Sequence, residues 1–290
     1  MSAGNYALHP ELIDDIPLVG GRIRHALDDR VTETLIDDSS KDGDITLVIR
    51  ALNEATELEK LFEDINKQAF SGQVEVIVVD NESSDNTPEV ARFYDAEVVT
   101  LPRSEFTYPR SMNVGVEAAS HDTVMLTVGH ALLSNNHSLH AGTRHFAKDR
   151  EVAGTFASVL PNKGASTLEN LFGVYSAIDL AIPAHKVSKT GLGVLAATGA
   201  VISKAAWEEL GKFDERYETG GEDSALAGQM LKAGYQIVKE PALTVHHSHG
   251  LGPIDALKQL IHWQRTLSGP RQFDLDKLLA RRPDLRRNID

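Results

Sequence analysis

The stretch that most constrains this chain is Val74-Glu-Val-Ile-Val-Val-Asp80. It is an apolar, β-branched run, broken only by Glu75, and it stops abruptly at Asp80. Apolar residues on both faces predict a strand buried on both sides, as in a parallel sheet. A polar loop follows, and Thr87-Pro88 then opens a helix, with Thr87 as cap and Pro88 in its first turn. Asp80 therefore falls at the carboxyl end of a central strand, where open α/β sheets bind their ligands. A carboxylate there repels phosphate, but it can accept hydrogen bonds from ribose hydroxyls or a base N–H. The segment alone equally allows Asp80 and Asp85 to do no more than cap the next helix.

The flanking sequence repeats the strand–helix alternation. Ile45–Ala51 reads as a strand ended by Asn53-Glu54. A helix follows, with Leu58, Leu61, Phe62, Ile65 and Ala69 on one face. Together with the segment above this makes a right-handed βαβ unit. Further strands are predicted at Glu97–Thr100, Thr123–Val128, Val152–Leu160 and Ala196–Ser203. Helices are predicted at Pro109–Ala119, Leu168–Leu180 and Ala205–Leu210, from Glu222 to Ala233, and at Pro253–Leu267. Pro183–Gly193 reads as a loop. We expect an extension over residues 1–43, one α/β domain over 44–252 and a helical tail over 253–290.

With 290 residues, 41% of them hydrophobic, the chain can bury a sizeable core. A net charge of −13 argues against a nucleic-acid backbone as partner. The absence of Cys excludes disulfide and thiolate chemistry. No apolar run approaches the roughly 18 residues of a membrane span, and the N-terminus has no secretory pattern. A cytoplasmic location is expected. Arg281, Arg282, Arg286 and Arg287 mark the tail as a solvated end, or as a contact with a membrane surface or a second copy of the chain.

Several segments resemble family two glycosyltransferases of the GT-A fold. They are the first strand with Asn53-Glu54, the Val78-Val-Asp-Asn-Glu-Ser-Ser-Asp-Asn-Thr87 segment, Arg110-x-x-Asn113-x-Gly115, Phe213-Asp-Glu215 and Gly220-Gly-Glu-Asp223. Asp80, Ser83, Asp85 and Thr87 match the family's Val-Asp-Asp-Gly-Ser-x-Asp-x-Thr in register, and Asn81 and Glu82 depart from it. The resemblance covers Ile45 to His249. It implies a GT-A fold with a mostly parallel central sheet, a nucleotide-sugar donor, and inverting transfer to a hydroxyl acceptor. The donor would meet Asn53, Glu54, Asp80, Asn81, Arg110, Asn113, Thr127 and Gly129. Asp223 would be the base that takes the acceptor proton, with Glu222 orienting it or binding acceptor hydroxyls. Taken alone, Glu222-Asp223 also suits a first-turn acidic pair on a helix dipole.

One departure bears on cofactors. Where the family carries Leu-Asp-x-Asp, whose carboxylates hold a divalent metal, this chain reads Leu126-Thr-Val-Gly-His130. Thr127 and Gly129 stand in the aspartate positions. Val245-His-His-Ser-His-Gly250 follows a strand, and if it is extended, His247 and His249 share a face while His246 points away. His130, His247 and His249 are thus candidate ligands for a divalent cation, manganese rather than magnesium. In the alternative they donate hydrogen bonds to the diphosphate with no ion present. Two other functions compete: a non-catalytic nucleotide-sugar binder, which intact Glu222-Asp223 argues against, and a sugar-1-phosphate nucleotidyltransferase, which lacks its Gly-rich basic loop here.

Overall fold

The computed structural model describes residues 41–149, 151–162, 165–166, 169–170, 182–250 and 252–266, and the statements below refer to these. The first half runs β1 (Ile45–Ala51), α1 (Ala55–Asn66), β2 (Val74–Asp80), α2 (Thr87–Phe93), β3 (Glu97–Thr100), α3 (Tyr108–Ala118) and β4 (Thr123–Val128). The second runs β5 (Leu132–Leu133), α4 (Ser138–Lys148), β6 (Val152–Leu160), β7 (His185–Val187), β8 (Ala200–Ser203), α5 (Lys204–Glu209), α6 (Glu222–Lys232), β9 (Gln236–His246) and α7 (Pro253–Thr266).

One nine-stranded sheet carries everything, in the order β3-β2-β1-β4-β8-β6-β9-β5, with β7 on β9. β3, β2, β1 and β4 are mutually parallel, β8 is antiparallel to both β4 and β6, and β6 and β9 are parallel. Strands β1, β2, β3, β4, β6 and β9 thus share one direction, so the sheet is mostly parallel, as expected. Alternation along β1 explains the layers. Ile45, Leu47, Ile49 and Ala51 pack with Leu58, Leu61, Phe62 and Ile65 of α1 on one face, and Val48 packs with Met112 and Val116 of α3 on the other. Each of these large buried side chains contributes about 1.5–3 kcal/mol.

Four local features differ from the sequence expectation. Helix α2 begins at Thr87 itself, and the Thr87 side chain does not cap it; Oγ1 accepts the Glu54 N–H at 2.9 Å instead. The strand expected from Ala196 starts only at Ala200, because Leu195 and Gly199 have positive φ and the chain turns there. The loop expected over Pro183–Gly193 contains β7, which pairs with β9. Helix α4, which packs Leu139, Ala141 and Phe146 against the core, was not anticipated. Its polar residues are buried against distant partners: Arg144 and His145 on Glu240 of β9 at 2.7 and 2.6 Å, and His140 on Asp42 at 2.6 Å. The expected Leu168–Leu180 helix and residues 1–40 fall outside the described residues, apart from 169–170. Residues 41–43 are not separate from the domain, since the Asp42 carboxylate also accepts the Ser71 N–H at 2.8 Å. No described helix is long and apolar enough to cross a membrane.

Candidate active site

The parallel strands deliver their carboxyl ends to one edge, and the candidate residues meet there. Asn53 turns the chain out of β1 with φ of 55°, a left-handed conformation that Asn tolerates. Its Oδ1 accepts the Ser84 N–H at 2.7 Å. Three successive backbone N–H groups then find side chains of the β2–α2 loop: Asn53 on Ser83 Oγ at 2.9 Å, Glu54 on Thr87 Oγ1 at 2.9 Å, and Ala55 on Asp85 Oδ2 at 3.1 Å. Helix α1 has no side-chain cap of its own, so its exposed donors are satisfied from the neighbouring strand's loop. Ser83, Asp85 and Thr87 are therefore structural, and Asp85 serves α1 as well as Thr87 of its own helix. The same hydrogen bonds hold the Asp85 carboxyl below its usual range against the opposing pull of burial.

Asp80 is left over from that network. It is buried, and its only described partner is the Ser83 N–H, at 3.2 and 3.3 Å to its two oxygens. Two oxygens sharing one N–H leave acceptor capacity for a ligand. Asn81 is occupied: its Nδ2 donates to the Leu101 carbonyl at 2.9 Å, which fixes the loop floor beside Asp80.

At the end of β4, the Thr127 hydroxyl is fully buried, with no hydrogen-bond partner among the described residues. Gly129 leaves room for Glu54. A Cβ built there would collide with the Glu54 carboxylate, which crosses over residue 129 to reach His130. Glu54 Oε1 lies 2.6 Å from His130 Nδ1. Glu54 Oε2 and His130 Nε2 are both buried and lack partners among the described residues. His247 and His249 come to the same place on the continuation of β9, with ring centroids 4.8 and 5.4 Å from that of His130. His246 turns away to the Pro161 carbonyl. Glu169 accepts the His249 and Gly250 N–H groups at 2.8 and 3.1 Å and so fixes this loop.

One ligand atom from each of His130, His247 and His249 lies within 4.8 Å of the others. Burial, then the neighbouring imidazoles and Arg50, push His247 down to about 3; burial and His130 lower His249 as well. All of this favours neutral rings with free lone pairs. An unpartnered buried Nε2, neutral imidazoles and an orienting carboxylate on Nδ1 fit a divalent ion that accepts nitrogen ligands.

Opposite this cluster, Gly220 and Gly221 turn the chain with φ of 124° and 102°, and α6 starts at Glu222. Tyr217 and the Thr266 backbone crowd Gly221, so a side chain there would meet strain and contact together. Glu222 is buried, and its Oε2 has no partner among the described residues. Burial, then the Asp223 charge, raises the Glu222 carboxyl to about 7. Asp223 is raised too, by burial, although the Ser224 N–H donates to its Oδ1 at 2.6 Å.

The raised Glu222 value carries a stability consequence. Between about 4.5 and 7 the folded chain holds a proton that the unfolded chain has lost, so this group's contribution to stability falls as pH rises through that window. Glu222→Gln should remove a cost of about 3 kcal/mol at pH 8 and almost none at pH 4. Melting temperatures of both proteins at the two pH values check this, and an equal difference at both would refute it. The difference between proteins is the right readout, because His247 acts with the opposite sign below 6.5.

Arg110 and Asn113 have protein partners. Arg110 pairs with Glu105 and Glu215 at 3.3 and 3.6 Å on a half-exposed surface. Asn113 is buried and brackets Phe213, accepting its N–H and donating to its carbonyl, each at 3.0 Å. That clip positions the segment leading to Glu222. Sequence reasoning passed over Arg50, which looked like a strand residue. Its guanidinium lies 4.5 Å from the Tyr108 ring centroid, and Glu222, Glu54, His247 and His249 all feel its charge.

The comparisons agree with this geometry. The glycosyl transferase family 2 profile matches residues 46–211, more than half of the chain. The O-antigen chain rhamnosyltransferase WbaN of Salmonella anatum is 25% identical over 214 residues, covering 72% of this chain and 67% of that protein. Among solved structures, S. aureus TarS with UDP aligns with a TM-score of 0.54 at 17% identity, over 74% of this chain and 62% of that one. The mannosyltransferase PcManGT of Pyrobaculum calidifontis, in complex with GDP-Man and Mn2+, aligns at 0.50 and 19% identity, over 72% and 57%. The chain thus spans about 60% of the length of these solved structures. With its parallel first four strands, its strand-end site and this profile match, the chain belongs to glycosyl transferase family 2 and has the GT-A fold.

Proposed function

We propose that this glycosyltransferase moves a sugar from a nucleoside-diphosphate donor to a hydroxyl acceptor in one displacement, with inversion at the anomeric carbon. The observation that carries this reading is the pair of carboxylate sites around the carboxyl ends of β1 and β2. Asp80, buried and with spare acceptor capacity, stands at the end of β2, and Glu222 and Asp223 stand at the start of α6, with Glu222 near enough to act electrostatically on Arg50 of β1. The acceptor oxygen forms its bond to the anomeric carbon as the carbon–oxygen bond to the diphosphate breaks, and that electron pair leaves on the diphosphate. Asp223 takes the acceptor proton. Glu222, beside it and near pH 7 in its titration, keeps the pair's charge adjustable.

His130, His247 and His249 would hold a divalent cation, with Glu54 orienting His130. When bound, the ion supplies positive charge to the departing diphosphate. Manganese suits these imidazoles better than magnesium, which prefers oxygen ligands. The Mn2+ in a structural neighbour supports a cation in general terms. Rhamnosyl donors are the first to test, because a curated relative carries that name.

The experiment is a thermal-shift and transfer screen over sugar nucleotides, with and without manganese. Donor binding raises the melting temperature by mass action. A chain that neither binds nor turns over any sugar nucleotide would refute the reading. Within it, Asp80→Ala should weaken nucleotide binding by roughly 1–3 kcal/mol, the cost of an unpaired buried polar group. Unchanged affinity by calorimetry would remove Asp80 from the site.

A further inference from the structure

The strand order sets a geometric requirement. β1 lies between β2, which ends in Asp80, and β4, which ends in Gly129-His130. A donor whose nucleoside rests at Asp80 and whose sugar reaches Glu222-Asp223 must carry its diphosphate across the end of β1. Arg50 is the cation at that end, in register with Val79 of β2 and Val128 of β4.

The surroundings of Arg50 are unusual for a partly buried arginine. Its guanidinium rests against the Tyr108 ring at 4.5 Å and more loosely against Phe106 at 5.9 Å. Glu222 and Glu54 are near enough to act on it electrostatically, yet neither is within ion-pair distance, and no described residue accepts a hydrogen bond from its side chain. A guanidinium removed from water ordinarily takes a carboxylate in a two-pronged pair. Here aromatic faces support it and the fork is left unused. Its planar geometry matches two phosphate oxygens. Thr127 and Gly129 at the end of β4 supply no carboxylate to bring a metal under the diphosphate from that side.

We infer that Arg50, held flat on Tyr108, binds the donor diphosphate directly through its guanidinium fork and offsets the charge of the leaving group. The inference rests on the nucleotide-sugar reading above. Arg50 stays protonated throughout; it donates N–H groups and exchanges no proton.

The test uses the full chain in EDTA, so that no divalent ion bridges the phosphates. Three probes are titrated by calorimetry: inorganic pyrophosphate, the nucleoside diphosphate that gives wild type its largest thermal shift, and the matching nucleoside. Arg50→Gln should weaken both phosphate-bearing probes about tenfold to a hundredfold, the value of charge-assisted hydrogen bonds, and leave nucleoside affinity unchanged. Arg50→Lys keeps the charge over the ring and loses the fork, so it should fall between the two. It carries the test alone if the Gln variant does not fold. A folded variant that binds the diphosphate as tightly as wild type would overturn the inference. So would equal losses for diphosphate and nucleoside. Wild-type protein that binds none of the probes in EDTA, and no sugar nucleotide once manganese is added back, would refute the glycosyltransferase reading instead, which separates the two failures.

Discussion

Replacing Asp223 by Asn should lower the transfer rate by about 10²–10⁴-fold while donor affinity is retained. The substitution keeps the side-chain shape at the start of α6 and removes only basicity. The Ser224 N–H, which donates to Asp223 Oδ1 at 2.6 Å, can still meet the Asn carbonyl oxygen, so the local fold should persist. Wild-type activity should rise with pH over a range lying above that of ordinary carboxylates, because a base acts only when ionised and burial raises both carboxyls of this pair. The apparent value belongs to the coupled pair, so the profile should move when either residue is changed. Single-turnover measurements with saturating donor separate the chemical step from binding. An Asp223→Asn enzyme running at the wild-type rate would show that a different group takes the proton.

Chelation should have an effect of comparable size. EDTA is expected to abolish transfer, and manganese should restore it better than magnesium. The ligand set is three imidazoles, two of them held below their usual range by burial and by each other, so they need shed no proton at neutral pH. His249→Ala should raise the ion concentration needed for half-maximal activity. Glu54→Gln, which weakens the hold on His130 Nδ1, should cost about 10–100-fold in manganese affinity. Calorimetric titration of manganese into the protein reads this without reference to turnover. Full activity in EDTA would reject the ion and leave the histidines as direct donors to the diphosphate.

Much of this site was legible in the sequence, and the reasons are local. β1, β2, β4 and β6 begin and end close to where their mostly apolar runs do, because strands buried on both faces are built from such runs. The alternation of His246, His247 and His249 followed from the two-residue period of extended chain. What was not legible depended on partners far away in the chain. Ser83, Asp85 and Thr87 looked like a cap for their own helix, yet they serve the first turn of α1, some thirty residues earlier. Helix α4 sets polar side chains on its packed side, since Arg144 and His145 both reach Glu240 of β9, some 95 residues on. Arg50 looked like an ordinary strand residue, because nothing nearby in sequence announces Tyr108 or Glu222 beside it. The meeting of Glu54 and His130 spans 76 positions.

The missing side chain at Gly129 bears on how such a site can change over generations. The Glu54 carboxylate occupies the volume that any residue larger than glycine at 129 would claim. An Asp at 129 would therefore have to displace the Glu54 carboxylate, the movable end of a flexible side chain, from His130, so the two positions are coupled. Starting from this chain, Gly129→Asp alone crowds two carboxylates into one space. Removing Glu54 alone leaves His130 without the group that fixes its ring. A route to the carboxylate-type metal site through position 129 thus costs the Glu54–His130 contact. Gly129→Asp in this background should push Glu54 off His130, while the compound change, with Glu54 shortened first, has room for the new carboxylate.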